Sequence, residues 1–356
     1  LREFFSSDTT TGAMNEFMTH NIRYPSWIIR EQEGYFTSKI YWFFNLISGK
    51  NYLLTSMWFA LFAFLAHWKL FMLISQHFLK NKNSKFSLFF LFIPSIAFWC
   101  TGISKDVLVF IGLLSLTRHL LLWFVLKERS VKSVLWMLFY AWLLLKVREI
   151  TFALLALSFV IMWLFTIVNS LKQKSLRRVL RFLIIIFSMG GMVASFSLLG
   201  LDSLLNPYLA EAEITNQDFQ NNASYTGAKY NLGITDFSIG GMIAASPLAI
   251  IAGLFRPFLW ESLSATLFLN GLEGALLLYL FFTNILFKIR TFFANLMENK
   301  LLLFAFIFAL LFAFATGFTA IIFGVLVRLR APLLVFLVIA LFWKDFDNKQ
   351  SKRVPV

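Results

Sequence analysis

Four groups of charged residues stand where long apolar runs of the sequence end, and their types could do chemistry on a phosphate ester. They are Lys105 with Asp106, Arg148 with Glu149, Arg256 with Glu261, and Arg328 with Arg330. A guanidinium grips phosphate oxygens through a fork of donors, and a carboxylate can take a proton from an attacking hydroxyl. This combination predicts a polar site for an anionic ligand. The competing interpretation is that the cations bind ordinary lipid headgroups or pair with nearby carboxylates to hold helices together.

Basic clusters between the apolar runs indicate which side of a membrane these groups occupy. Lys and Arg collect in the cytoplasmic loops of membrane proteins. The segments predicted to be cytoplasmic are 80–85, 127–132, 172–181, 288–290 and the tail from Lys344, and those predicted to be outside are 1–36 and 202–238. Counting alternate crossings then puts all four charged groups on the outer face. Lys105, Arg148, Arg256 and Arg328 are therefore predicted to converge in one outward-facing cavity.

The composition of the chain requires a membrane. Of its 356 residues 59% are hydrophobic and only 14% are charged, so a water-soluble globule would have too little polar surface to cover itself. The formal net charge is +14, but the basic residues are dispersed among short loops, which argues against a nucleic-acid footprint. One cysteine, Cys100, excludes an intrachain disulfide, and four scattered histidines argue against a metal site. No metal or cofactor is expected.

The apolar runs predict an all-α, polytopic transmembrane helical bundle that forms one membrane domain over residues 1–356. We expect about nine spans, or about ten if a helix precedes residue 1. The expected spans are about 52–77, 86–100, 107–126, 134–146, 151–169, 182–201, 263–287, 301–323 and 331–343. Shorter runs at 35–47, within an outer-face segment 1–51, and at 239–255 are expected to be interfacial or re-entrant. The acidic stretch 202–238 is expected to be an outer loop.

Local sequence predicts how the charged groups are presented. Lys105 follows a Pro94-Ser95 break and Gly102, so it is expected on irregular backbone. Arg148 has almost no loop to hold it in water, and it is expected to lie at the interface or point into the bundle. Arg328 and Arg330 precede Pro332, which predicts a tight connection before the last span.

Three segments resemble those of a group of membrane proteins from bacterial polysaccharide clusters. Pro94 to Asp106, PSIAFWCTGISKD, resembles a P-S-x-x-F-W-[ST]-[ST]-G-x-x-K-[DE] pattern of the O-antigen-polymerase-like and GT-C-like glycosyltransferases. Gly253 to Glu261, GLFRPFLWE, and Phe323 to Pro332, FGVLVRLRAP, are further matches. The chain departs from the pattern at Arg148-Glu149-Ile150, where an Arg-Pro-aromatic run is expected, and at Ile322, where Asn is expected.

The resemblance implies a polyprenyl-phosphate-linked sugar donor and a carboxylate base. The implied phosphate-binding residues are Lys105, Arg148, Arg256, Arg328 and Arg330. The candidate catalytic carboxylates are Asp106, Glu149 and Asp8, the last lying in the first outer segment as the family's base does. A solvated loop aspartate is the competing interpretation of Asp8.

The sequence is therefore compatible with three functions. The first is a glycosyltransferase or polysaccharide polymerase that acts on polyprenyl-phosphate-linked sugars at the outer face of the bacterial inner membrane. The second is a non-catalytic membrane subunit that scaffolds an envelope or secretion complex with protein partners. The third is a transporter or flippase of a lipid-linked or anionic solute, which should carry charges at mid-membrane depth.

Overall fold

The computed structural model describes residues 32–80, 85–186, 210, 213–214, 216–221, 227–233, 236–262 and 264–346. Asp8, most of the outer segment 1–36, much of the acidic stretch 202–238, and the tail beyond 346 lie outside these residues. The described part is helical, and its only strand-like pairings are two isolated bridges, Leu79 with Phe346 and Lys229 with Ile322. The expected all-α fold is thus confirmed for these residues.

Thirteen α-helices are described in chain order. They are α1 (Gln32–Ile47), α2 (Tyr52–His77), α3 (Phe86–Leu91), α4 (Pro94–Trp99), α5 (Lys105–Leu120), α6 (Val131–Val147), α7 (Glu149–Asn169), α8 (Lys174–Ile186), α9 (Ile239–Phe255), α10 (Ala265–Asn284), α11 (Ile289–Glu298), α12 (Lys300–Thr319) and α13 (Phe323–Leu341). A π-helical turn, Leu121–Val125, extends α5, and 3₁₀ turns lie at Leu259–Glu261, Leu286–Lys288 and Trp343–Asp345.

Six helical stretches of the described residues are long and apolar enough to cross a membrane. They are Tyr52–His77, Lys105–Val125, Glu149–Asn169, Ala265–Glu298, Lys300–Thr319 and Phe323–Leu341. This is the pattern of a multi-pass membrane protein. The count of nine spans stays a prediction, because α6 has 17 residues and much of the run 182–201 lies outside the described residues.

Two expected spans differ from the helices found. The run 86–100 is divided into α3 and α4 at Phe92-Ile93, because a helix is disfavoured at the residue before Pro94. The last span begins at Phe323 rather than near 331, so Arg328, Arg330 and Pro332 all lie within α13. The expectation of a tight connection there was wrong. Pro332 lacks an N–H and costs the helix one hydrogen bond, but the helix continues through it.

Internal contacts divide the chain into two compact units. The first comprises Leu1–Leu73 with Ala97–Ala153, and the second comprises Ile74–Ile96 with Leu154–Val356. In the first unit α5 packs along α6, where a Cβ on Gly112 would stand 3.1 Å from the Leu144 side chain. The ring of Tyr41 on α1 lies 4.2 Å from that of Phe59 on α2. This packing fixes α5, whose first turn carries Lys105 and Asp106.

The second unit is built around α12, which packs against both α9 and α13. Gly253 on α9 and Gly317 on α12 bring the two backbones together so closely that a Cβ on either would overlap the facing main chain. Small residues allow such close approach between membrane helices. Most of α13 is buried, so a charged residue on it must find partners inside the protein.

Candidate functional site

In the first unit Asp106 and Arg148 form a short ion pair. Arg148 is the single non-helical residue between α6 and α7, and its Nη2 lies 2.8 Å from Oδ1 of Asp106. The Asp106 carboxylate is buried in the first turn of α5, where the helix dipole also favours a negative charge. The two side chains therefore bond directly to each other, whereas the sequence neighbour Glu149 is exposed in the first turn of α7.

Tyr41 fixes the backbone of Ser104, the residue directly before α5, by two hydrogen bonds. The hydroxyl of Tyr41 donates to the Ser104 carbonyl and accepts from the Ser104 N–H at 3.0 Å. Burial raises the pKa of Tyr41, and the nearby Asp106 charge acts in the same direction. Lys105 was expected on irregular backbone, and this expectation was wrong, because Lys105 is the first residue of α5. The extended Ser104 ends the loop, and the helix starts directly after it. The ammonium of Lys105 lies 3.8 Å from Glu33.

In the second unit a carboxylate that sequence reasoning missed lies at the centre of a charged cluster. Glu273 is buried on α10 and accepts from the Ser95 hydroxyl at 2.7 Å and from the Ser95 backbone N–H at 2.9 Å. The break at Pro94 frees this N–H, since the first N–H groups of a helix have no partner within it. The signal in the sequence was available: Glu273 is the one acidic residue within an otherwise apolar span.

Arg330 is the cation that faces this carboxylate. Its side chain is fully buried, and its Nη2 lies 3.6 Å from Oε1 of Glu273, too long for a hydrogen bond. Its Nη1 donates to the backbone carbonyl of Arg256. Within the described residues, Nε and Nη2 of Arg330 are buried without a hydrogen-bond partner. Arg330 therefore orients the Arg256 peptide while keeping unused donor capacity of its own.

Arg256 follows the last residue of α9 and is the more accessible of the two arginines. Its Nη2 lies 3.2 Å from Oε1 of Glu261, and its guanidinium stands 4.7 Å above the ring of Tyr230. The side chain is 21% exposed, yet Nη1 is buried and has no hydrogen-bond partner in the described part of the chain. Glu261 is itself held by the Phe258 N–H at 2.9 Å. Nη2 of Arg256 is thus paired with Glu261, whereas Nη1 is a donor without an acceptor among the described residues.

Tyr230 is a second residue that the sequence did not single out. Residues 228–230 pair with the segment before α13: Tyr230 N–H donates to Ile321 and Phe323 N–H donates to Ala228. The Tyr230 hydroxyl donates to the Ala320 carbonyl, which fixes the ring beneath Arg256. Burial raises the pKa of this phenol, whereas the charge of Arg256 acts in the opposite direction.

Arg328 takes a different position from Arg330. Residues two apart on an α-helix do not face each other, so the two guanidiniums leave α13 from different faces and the chain does not present them as one fork. Arg328 is half-buried. The structure thus joins Arg148 with Asp106 in the first unit and Arg256 with Arg330 in the second. The convergence of all four predicted cations in one cavity stays a prediction.

Comparison of the chain with protein-family models, with curated proteins and with solved structures finds no match. Within the described residues, no group of three or more His, Cys, Asp or Glu side chains could hold a metal ion. The candidate site is the charged cluster of the second unit, which consists of Ser95, Tyr230, Arg256, Glu261, Glu273 and Arg330. This cluster can bind an anion through guanidinium donors and can position it beside carboxylates.

Proposed function

We propose that this protein is a membrane glycosyltransferase or polysaccharide polymerase that uses polyprenyl-phosphate-linked sugars at the outer face of a bacterial inner membrane. The observation that supports the proposal best is the Arg256 guanidinium, which is partly exposed and has a buried donor without a partner. A phosphate oxygen is a strong acceptor for such a donor, and the pairing is charge-assisted.

In this proposal Arg256 binds the phosphate and Arg330 positions it. Arg330 holds the carbonyl of Arg256, and its buried charge adds positive potential where water is excluded. As the bond from sugar to phosphate breaks, negative charge builds on the leaving phosphate, and preorganised donors stabilise that charge. Glu261 keeps Arg256 in place before the ligand arrives.

The acceptor hydroxyl must also lose a proton, and the candidate bases differ in how well they suit that role. Asp106 is engaged by Arg148 at 2.8 Å, which fits a structural role better than a catalytic one. Glu149 is exposed at the start of α7 and stays a candidate, as does Asp8. Lys105 and Arg328 stay candidate phosphate contacts.

The first experiment measures phosphate recognition directly. A short-chain polyprenyl phosphate is titrated against the purified protein, and the polyprenol of the same length without phosphate serves as the matched ligand. Arg256→Ala should weaken binding of the phosphate by about tenfold to a hundredfold and leave the weak binding of the alcohol unchanged. Arg290→Ala, which removes an exposed arginine elsewhere, is the control and should bind as wild type does.

Glycan or polymer formation in membranes then separates an enzyme from its rivals. Arg256→Ala should lower product by on the order of a hundredfold at unchanged membrane abundance, and Arg256→Lys should recover part of it, since an ammonium lacks the fork. Normal product from Arg256→Ala would contradict the proposal. Loss of folded protein in both Arg256→Ala and Glu261→Gln would make the pair structural and favour the scaffold.

A transporter of a lipid-linked or anionic solute is the second candidate, and a specific observation favours it. Arg330 and Glu273 lie within apolar spans, well inside α13 and α10, rather than at their ends. Ionisable residues inside membrane spans mark solute pathways in many transporters. Movement of the polyprenyl phosphate across proteoliposome membranes, with no glycan formed in any condition, would establish this function instead.

A further inference from the structure

Helix α8, which contributes no residue to the charged cluster of the second unit, has a basic stripe and an apolar stripe. Its basic stripe is Lys174, Arg177, Arg178 and Arg181, and its apolar stripe is Leu176, Val179, Leu180 and Leu183. Each stripe has the spacing i, i+3, i+4, i+7, which places its members on one face of a helix. No acidic residue occurs between Lys172 and Ile186. The helix is therefore amphipathic, with a cationic face that its own sequence does not neutralise.

The apolar stripe is open to the surroundings. Leu176, Val179 and Leu183 are exposed, and so is the neighbouring Phe182, at 63%. An apolar helix face of this kind is buried either in a membrane interface or against another protein. The position of α8 decides between a membrane interface and another protein.

The cationic face lies where membrane spans end. Nε of Arg181 donates to Oδ1 of Asn169, the last residue of the span α7, at 2.9 Å. The amide of Asn169 donates in turn to the carbonyl of Met297, in the last turn of α11, which is followed by the span α12. These two hydrogen bonds tie α8 to the end of α7 and to the segment that leads into α12. The ends of membrane spans lie near the lipid headgroups, so we infer that α8 lies there too.

Positive charge is in excess at this position. Burial lowers the pKa of Arg181, and the charge of Arg177 lowers it further, with Glu298 acting in the opposite direction. Lys174 and Arg178 are exposed and Arg177 is half-buried. Three cations thus share the helix face of the anchored Arg181, and an anion placed among them would relieve their repulsion.

We propose that α8 is a binding site for anionic phospholipid, with its basic stripe on headgroup phosphates and its apolar stripe among the acyl chains. A Lys or Arg near a membrane surface gains attraction from anionic lipid, and apolar burial adds to it. The proposal does not depend on the function assigned to the Arg256 cluster.

The test compares two triple variants of the full chain that remove equal charge. Lys174, Arg177 and Arg178 are replaced by Gln, leaving Arg181 bonded to Asn169, and the control replaces the exposed Lys127, Arg129 and Lys132 by Gln. Each protein is reconstituted into phosphatidylcholine nanodiscs that contain phosphatidylglycerol, and the lipid kept on the protein after detergent exchange is quantified. The α8 variant should retain about tenfold less phosphatidylglycerol relative to phosphatidylcholine, and the control less than about twofold less. Equal losses in the two variants would overturn the proposal.

A second measurement does not depend on the folding of a charge variant. A spin label is attached at position 179 or 174 by single cysteine substitution, with native Cys100 buried. In the same nanodiscs, oxygen, which partitions into lipid, should increase the relaxation rate of the label at position 179. A water-soluble nickel complex should increase the relaxation rate of the label at position 174. A label at 179 that responds to nickel, or to neither reagent because protein covers it, would contradict lipid binding.

Discussion

Two arginine–carboxylate pairs in the described part of the chain, one in each unit, use similar groups in opposite ways. Arg148 meets Asp106 in a hydrogen bond of 2.8 Å at a helix boundary. Arg330 stands 3.6 Å from Glu273 within two spans, and the carboxylate takes its hydrogen bonds from Ser95 instead. We call the first pair closed, because its two side chains bond directly to each other. We call the second pair open, because Arg330 keeps guanidinium donors that the described residues do not use. A closed pair stabilises a fold, and an open one is suited to a ligand.

The largest expected effect is on the closed pair. Arg148→Gln should lower the free energy of unfolding by about 3–5 kcal/mol, because it leaves the buried Asp106 charge without its partner. Unfolding in mixed micelles measures the loss. Lys105→Gln is the control: its partner Glu33 is 3.8 Å away and the side chains are 27% and 44% exposed, so the loss should stay below about 1 kcal/mol.

A double variant tests whether the loss comes from the unpaired charge. Asp106→Asn with Arg148→Gln removes both charges, so it should recover most of the stability lost in Arg148→Gln alone. A double variant as unstable as the single one would mean that Arg148 acts through packing, and the contrast with Arg330 would then fail.

The open pair should respond more weakly in stability and more strongly in binding. Arg330→Gln should cost about 1–3 kcal/mol, because Ser95 still donates two hydrogen bonds to Glu273. Binding of the polyprenyl phosphate should fall as it does for Arg256→Ala, since the Arg256 peptide loses the donor that holds its carbonyl.

Ser95→Ala sharpens this prediction. Without the Ser95 hydroxyl, Glu273 depends more on Arg330, so the two substitutions together should cost more than the sum of their separate losses. Strict additivity in the double-mutant cycle, measured by the same unfolding experiment, would show that Ser95 and Arg330 do not share the carboxylate.

The contrast between the pairs also explains what the sequence could predict. Long apolar runs identified the helices, as for Tyr52–His77, because length and hydropathy alone decide whether a segment can span a membrane. The cations Arg148 and Arg256 were found because each follows directly after a helix ends. In both places the local sequence carries the information.

Partners could not be predicted in the same way. Glu273 depends on Ser95, 178 residues earlier, and no local pattern contains such a contact. The competing interpretation of the sequence paired Arg148 with its neighbour Glu149. The structure shows an ion pair with Asp106, because α5 and α6 pack side by side. Pro332 was taken as a helix boundary, although buried packing on both sides of it keeps α13 continuous.

The smallest expected effect concerns two tyrosines, one that supports the helix of Asp106 and one that lies beneath Arg256, whose carbonyl Arg330 holds. Tyr41 holds Ser104 at the start of the helix that carries Asp106, and Tyr230 lies beneath Arg256. Tyr41→Phe and Tyr230→Phe should each lower the free energy of unfolding by about 0.5–1.5 kcal/mol near neutral pH, the loss of a buried hydroxyl's hydrogen bonds. Since phenylalanine keeps a ring under Arg256, Tyr230→Phe should bind the polyprenyl phosphate nearly as wild type does.

These tyrosines also give a pH dependence with a definite sign. Burial raises the pKa of both phenols in the folded protein, so the folded state holds these protons more tightly than the unfolded chain does. Their contribution is fully present below the unfolded pKa of about 10 and is lost as the pH rises toward the folded value. Unfolding measured at successive pH values above about 10 should show wild type losing stability more steeply than either Tyr→Phe variant. Curves of equal slope would mean that the phenols reach water before the protein unfolds, and the rigid support inferred for Ser104 and for Arg256 would be wrong.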